Sequence, residues 1–139
     1  MVLSESKLEY LFNIYNEEYF HNALPVPGFK VIHKNKTFGR FECRVGWKSI
    51  RQPVIMITDK YNFTDEQLRD IMVHEMIHYY LAYKRIDRVI THGKAFKEMM
   101  NDFNLNEGLN IQITHNTEEF EVDKSKETTL EKVSNFIFS

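Results

Sequence analysis

The chain has 139 residues, 42% of them apolar and 27% charged, with a formal net charge of −2. That suits one domain with a proper core and excludes a surface built to coat nucleic acid along its whole extent. A single cysteine, Cys43, excludes an internal disulfide and a cysteine-built metal site; with no signal-peptide core at the start and no apolar run near the ~20 residues of a bilayer span, a cytoplasmic location and no membrane partner are expected.

Ser4 is placed to cap a helix whose apolar residues Leu8, Leu11, Phe12, Tyr15 and Tyr19 fall at helical spacing. Pro25 and Pro27 cannot continue it, and His21 at its fraying end reads as a solvated residue. Residues 29–34 alternate weakly. From Arg40 to Lys48 the alternation is clean, with Phe41, Cys43, Val45 and Trp47 on one side and Arg40, Glu42, Arg44 and Lys48 on the other. This predicts an antiparallel strand with one wet face and places Cys43 and Trp47 in the core. The run Pro53 to Thr58 predicts a strand buried on both faces. Residues 30–51 hold seven basic side chains against one acid, Glu42. The plain reading is the solvated face of a sheet; the functional one is a patch for phosphates or acidic protein.

Thr64 and Gln67 form a capping-box pattern with acids between them, and predict a helix over about 65–84. Inside it stands His74-Glu75-Met76-Ile77-His78. On a helix the two histidines stack on one face, about 6 Å apart along the axis, where two neutral imidazoles can share one zinc. Glu75 is turned about 100° from His74 and is placed to take a proton from a zinc-activated water rather than to bind the metal. A shuffled chain of this composition would hold such a motif about 0.025 times, so context has to decide. Leu68, Ile71, Met72, Val73, Ile77, Tyr79, Leu81, Ala82 and Tyr83 make the helix apolar round most of its circumference, which predicts a buried helix. Polar residues are costly there unless hydrogen-bonded or ligated. Asp70, one turn before His74, is a candidate partner for it, and Tyr79, Tyr80 and Tyr83 are candidate oxyanion donors.

After a polar loop over 86–91, a second helix is expected to start near His92-Gly93, with Phe96, Met99, Met100 and Phe103 on one face. A catalytic zinc needs a third protein ligand, and His92, Glu98, His115 and His33 are the candidates. On an ideal helix with Phe96 at zero, His92 falls at about 320°, on the apolar face, and Glu98 at about 200°, opposite it. That face meets the main helix, so His92 is the better ligand; His115, after a short strand suggested by Leu109, Ile111 and Ile113, could also approach. The segment from Thr117 carries six acids against three lysines, with apolar residues suggesting that it packs back on the domain.

The motif His74-Glu75-Met76-Ile77-His78 followed by His92-Gly93-Lys94-Ala95-Phe96-Lys97, with Glu18 to Pro25 and Gly39-Arg40-Phe41 upstream, resembles the SprT-like zinc metalloprotease family, of which Spartan, a DNA–protein crosslink protease, is the best-known type. The likeness covers about residues 8–115. It implies an α+β fold with a zincin-like core, a small antiparallel or mixed sheet packed against a buried active-site helix and flanking helices. It also implies Zn2+ held by His74, His78 and His92, Glu75 as catalytic base, and hydrolysis of peptide bonds in a protein or peptide substrate. Members commonly continue into a cysteine-rich zinc ribbon that helps bind DNA; no cysteine follows Cys43 here, so the resemblance covers the protease core, and DNA, or DNA-associated substrates, is the partner it supports least. The expected organisation is a metalloprotease domain over 1–116 with an acidic tail, 117–139, packed on it. The rival expectation is a non-catalytic zinc-stabilised module contacting DNA or a protein through residues 30–51.

Overall fold

In the computed structural model, residues 2–86 and 92–113 are described in full, and Glu121–Val122 and Phe136–Phe138 in their backbone. The order is α1 (Glu5–Phe20), β1 (Gly28–Ile32), β2 (Gly39–Val45), β3 (Ile50–Thr58), β4 (Tyr61–Asn62), α2 (Asp65–Lys84), α3 (Lys94–Asn106), β5 (Glu121–Val122) and β6 (Phe136–Phe138). The fold is α+β. Four strands form a mixed sheet in the order β1-β3-β2-β6: β1 runs parallel to β3, and β2 runs antiparallel to both β3 and β6. A two-stranded pair, β4 with β5, stands apart. Thus two short strands of the acidic C-terminal region pair with earlier strands; the rest of that region, and His115, lie outside the described residues. Among the described residues no helix is long and apolar enough to cross a membrane.

Local chemistry accounts for the helix ends. Ser4 Oγ accepts the Lys7 amide hydrogen bond at the start of α1. The helix stops at Phe20, and His21 takes the left-handed conformation as its C-cap, exposed to solvent. Asn16, buried on the inner face of α1, holds the chain that leaves the helix: its Nδ2 donates to Leu24 O at 2.8 Å, and its Oδ1 accepts from Leu24 N at 3.2 Å. At α2 the capping box is complete, with Thr64 Oγ1 accepting from Gln67 N and Gln67 Oε1 accepting from Thr64 N.

The core lies between the sheet and α2. Thirteen of the twenty residues of α2 are buried. Phe41 of β2 stacks on Tyr79 at 5.3 Å between centroids, and Phe12 of α1 closes on the same ring and on Phe29. Cys43 is buried, and burial pushes its thiol up to about 11, so it is an inert core residue.

Trp47 is the exception among the expected core residues. It is 86% exposed, and Val45 on the same side is 46% exposed. The strand ends at Val45, so Trp47 falls in the turn of the β2–β3 hairpin, level with the last turn of α2, where Arg85 Nη1 donates to Gly46 O. Alternation gives the side of a strand on which a residue lies; among the described residues no helix reaches far enough to cover that side. A second difference concerns residues 109–113, which form no strand. Leu109 and Ile111 are buried, but the backbone partner is a side chain: Asn104 Oδ1 accepts from Ile111 N at 2.8 Å, and its Nδ2 donates to Ile111 O at 3.0 Å.

Replacing Asn16 with Ala leaves a buried N–H and C=O of Leu24 without partners. The expected cost is roughly 2–3 kcal/mol, read as a lower urea midpoint at unchanged slope.

Candidate metal centre

His74 and His78 lie on one face of α2 because they are one turn apart, and both are buried, at 3% and 4% exposure. His92 enters from the segment before α3. That helix starts at Lys94 with Gly93 as its N-cap, so His92 is not part of it, as the angular estimate assumed; it is carried to the site by the turn into the helix. The ligand atoms of the three histidines all lie within 4.8 Å of one another, and the Nε2 atoms of His74 and His92 are 3.3 Å apart. Two nitrogens each about 2.05 Å from a tetrahedral zinc would stand roughly 3.3 Å apart, so the spacing fits such an ion. The donor set, three imidazoles without thiolate, suits zinc and other first-row divalent metals.

Two features orient the rings. Phe96 of α3, fully buried, lies against all three, with centroid distances of 4.9 Å to His74, 4.6 Å to His78 and 4.8 Å to His92. It forms the apolar floor of the cluster. His74 Nδ1 is 2.8 Å from Gln112 O. A carbonyl only accepts, so Nδ1 carries the hydrogen and Nε2 presents its lone pair to the cluster. Asp70 does not have this role: its carboxylate is 3.1 Å from both Nε and Nη2 of Arg69. No sequence signal marked Gln112, because the group used is a backbone carbonyl; only the apolar alternation of Leu109 and Ile111 hinted that this segment enters the core.

Glu75 is 2% exposed, with Oε2 4.0 Å from His74 Nε2. Its Oε1 is fully buried without a hydrogen-bond partner. Burial pushes its carboxyl well above the usual carboxylate range, while the Arg40 cation pulls the other way. A metal cation on the three imidazoles would favour the ionised form. Room for the carboxylate comes from Gly39: a Cβ there would lie 3.1 Å from Glu75 Oε2, from Ile57 Cδ1 and from Met56 O.

The other candidates are elsewhere. Glu98 is an exposed residue 3.9 Å from Lys94 Nζ. His33 pairs with Asp59 at 2.8 Å. Tyr79 is held in the core, its hydroxyl donating to Pro25 O at 2.7 Å, which takes it out of the oxyanion role. The rings of Tyr80 and Tyr83 pack on Phe20 and Tyr79 respectively.

The model of the SprT-like family matches residues 8–115, a span that holds the three histidines, Glu75, Gly39 and Gln112. The chain belongs to the SprT-like family. A search of curated proteins finds no match.

The Asn104 clamp on Ile111 sets the position of Gln112, whose carbonyl orients His74. Asn104→Ala is therefore expected to weaken the affinity of the three-histidine site for a divalent metal about tenfold, the lower end for partners of metal ligands. Competition with a chromophoric chelator measures this, with far-UV circular dichroism confirming that the helices persist.

Proposed function

We propose that this SprT-like protein is a single-zinc endopeptidase acting on protein or peptide substrates. The observation that carries the reading is a buried carboxylate with an unpartnered oxygen beside three converging imidazole nitrogens. A carboxylate is expensive in such a place unless it has a task. His74, His78 and His92 would hold the zinc, and its contribution when bound is Lewis acidity towards the scissile carbonyl and the attacking water. Glu75 takes a proton from that water as it attacks, then delivers it to the departing amine. A cation on the three imidazoles favours the ionised carboxylate, the form that can accept the proton. Gln112 O keeps His74 in the tautomer that binds, and Phe96 keeps the inner side of the cluster dry.

The non-catalytic reading, zinc as a structural staple, calls for a fourth protein ligand closing the coordination sphere. His115 would be the residue to look for in a metal-bound crystal structure, and its presence on the zinc would favour that reading.

Glu75→Gln keeps shape and size but cannot take the proton. It is expected to retain one zinc per chain by elemental analysis and to lose cleavage of an unfolded protein such as casein by at least about 100-fold. Wild-type cleavage by the variant would sink the mechanism, and a purified wild-type protein without metal affinity at neutral pH would sink the assignment.

Gly39→Ala tests the space around the base. The new methyl group crowds the Glu75 carboxylate, the Ile57 side chain and the Met56 carbonyl, each 3.1 Å away, so one of them must give way. Zinc content should stay at the wild-type level while kcat falls about tenfold or more, as expected for a general base moved from its place; unchanged kcat would show that Glu75 does not depend on that gap.

A further inference from the structure

The two edges of β2 are used differently. On one side the strand is laddered to β3 along its length, from Gly39 opposite Ile57 to Val45 opposite Ile50. On the other, β6 pairs with three residues: Phe41 opposite Phe138, Glu42 opposite Ile137 and Cys43 opposite Phe136. β6 is the outermost strand of that side of the sheet.

This outer edge leads to the metal centre. Gly39 is the residue of β2 whose Cβ would lie 3.1 Å from Glu75 Oε2, and the pairing with β6 ends two residues short of it. β6 runs antiparallel to β2, so from Phe136 to Phe138 it heads towards Gly39, over a stretch roughly 7–14 Å from that residue at strand spacing. In the other direction a register shift lies between Glu42 and Arg44, and such bulges end pairing. The usable edge is therefore the part that leads to the site.

A strand of three residues at the rim of a sheet is held by few hydrogen bonds and belongs to the low end of local stability. Its departure would bare a row of backbone N–H and C=O groups, a template for an extended chain. Main-chain pairing of this kind gives affinity without demanding a sequence, and alternate side chains add preference. The preference is readable from the register. Phe136 and Phe138 are the partners of Cys43 and Phe41, both buried in the core, so the edge calls for apolar residues two positions apart. β6 also lies beyond residues 8–115, the span of the SprT-like match, and is thus laid onto the family's domain from outside it.

Given the protease reading above, on which this rests, we propose that β6 is an internal stand-in for substrate: it occupies the edge of β2 on which an extended peptide would pair on its way to Glu75, and it must leave before that peptide binds. As part of the same chain, β6 competes without dilution. A folded protein offers no extended segment to displace it, whereas an unfolded one with suitably spaced apolar residues does.

Ile137→Pro with Phe138→Pro in the full chain tests this. Amides that face the partner alternate along an antiparallel strand, and proline has no N–H, so one of the two substitutions removes a pairing donor whichever set β6 uses. Deuterium exchange at Phe41 to Cys43 should become faster. A labelled peptide with the sequence of residues 134–139, followed by anisotropy, should bind the variant at least about tenfold tighter than the wild type, as for an edge free about one-tenth of the time that becomes free always. kcat/KM for casein should rise about as much, through KM rather than kcat. Equal peptide affinity in the two proteins overturns the proposal. So does an unchanged casein KM in a variant that has gained peptide affinity, which would place the edge outside the substrate's path. If neither protein cleaves casein while the peptide still tells them apart, the protease reading falls and the docking edge stands. Wild type alone supplies a second measurement that needs no variant. Saturating peptide should speed exchange at Phe136 to Phe138 and leave Phe41 to Cys43 protected; unchanged exchange at Phe136 to Phe138 overturns the proposal.

Discussion

Burying charged and polar side chains in a protein interior is permitted only where each finds a partner, and α2 concentrates that constraint. The helix runs through the middle of the domain with two imidazoles and a carboxylate on it, all less than 5% exposed. A solvated helix could carry such residues at no cost and would demand nothing of its neighbours. A buried one makes demands on every element packed against it. α3 answers with the Phe96 ring under the three imidazoles and with His92 at its entrance. The segment after α3 answers with the Gln112 carbonyl on His74. β2 answers with a residue that has no side chain, Gly39, where the sheet comes closest to Glu75. One demand is left unmet, the free oxygen of Glu75, and a group held against its own desolvation is the group that a proton-transfer step would use.

The supports form a chain of contacts rather than a single shell. Asn104 near the end of α3 clamps the backbone of Ile111, and the next residue supplies the carbonyl that orients His74. α3 therefore acts at both its ends, with His92 and Phe96 near its start and Asn104 near its finish. On the other side of α2, β2 joins two places of different character. Its first residue lies at Glu75, deep in the molecule, and its last leads into a hairpin rich in cations and open to solvent.

Much of this was legible in the sequence, for reasons that differ by residue. The caps at Ser4 and Thr64 were readable because capping is a contact between residues three positions apart. His74 and His78 share a face because helical periodicity puts them there. His92 was reached by an angle measured on a helix that begins two residues later than assumed; the residue is at the site because the apolar face that drives α3 onto α2 also brings its N-terminal neighbour along. The failures have a common origin. Trp47 alternates as a core residue does, but among the described residues no element covers the end of the hairpin. Tyr79 lies on the same helix as the motif and carries a donor hydroxyl, yet that hydroxyl is committed to Pro25, 54 residues earlier. Asp70 has the right spacing for His74 and the wrong direction, towards Arg69.

The sequence by itself therefore determined what is local: the elements, their caps, the pairing of His74 with His78 and the adjacent position of Glu75, since each rests on spacing along one piece of backbone. It also determined that α2 must be buried, because no face of that helix is polar enough to meet water. The tertiary structure alone decided which distant groups meet these residues. The carbonyl of Gln112, the gap at Gly39 and the exposure of Trp47 follow from how far each element extends and what packs on it. Backbone carbonyls and missing side chains leave no mark in a sequence, and contacts made across the fold have no period to be read.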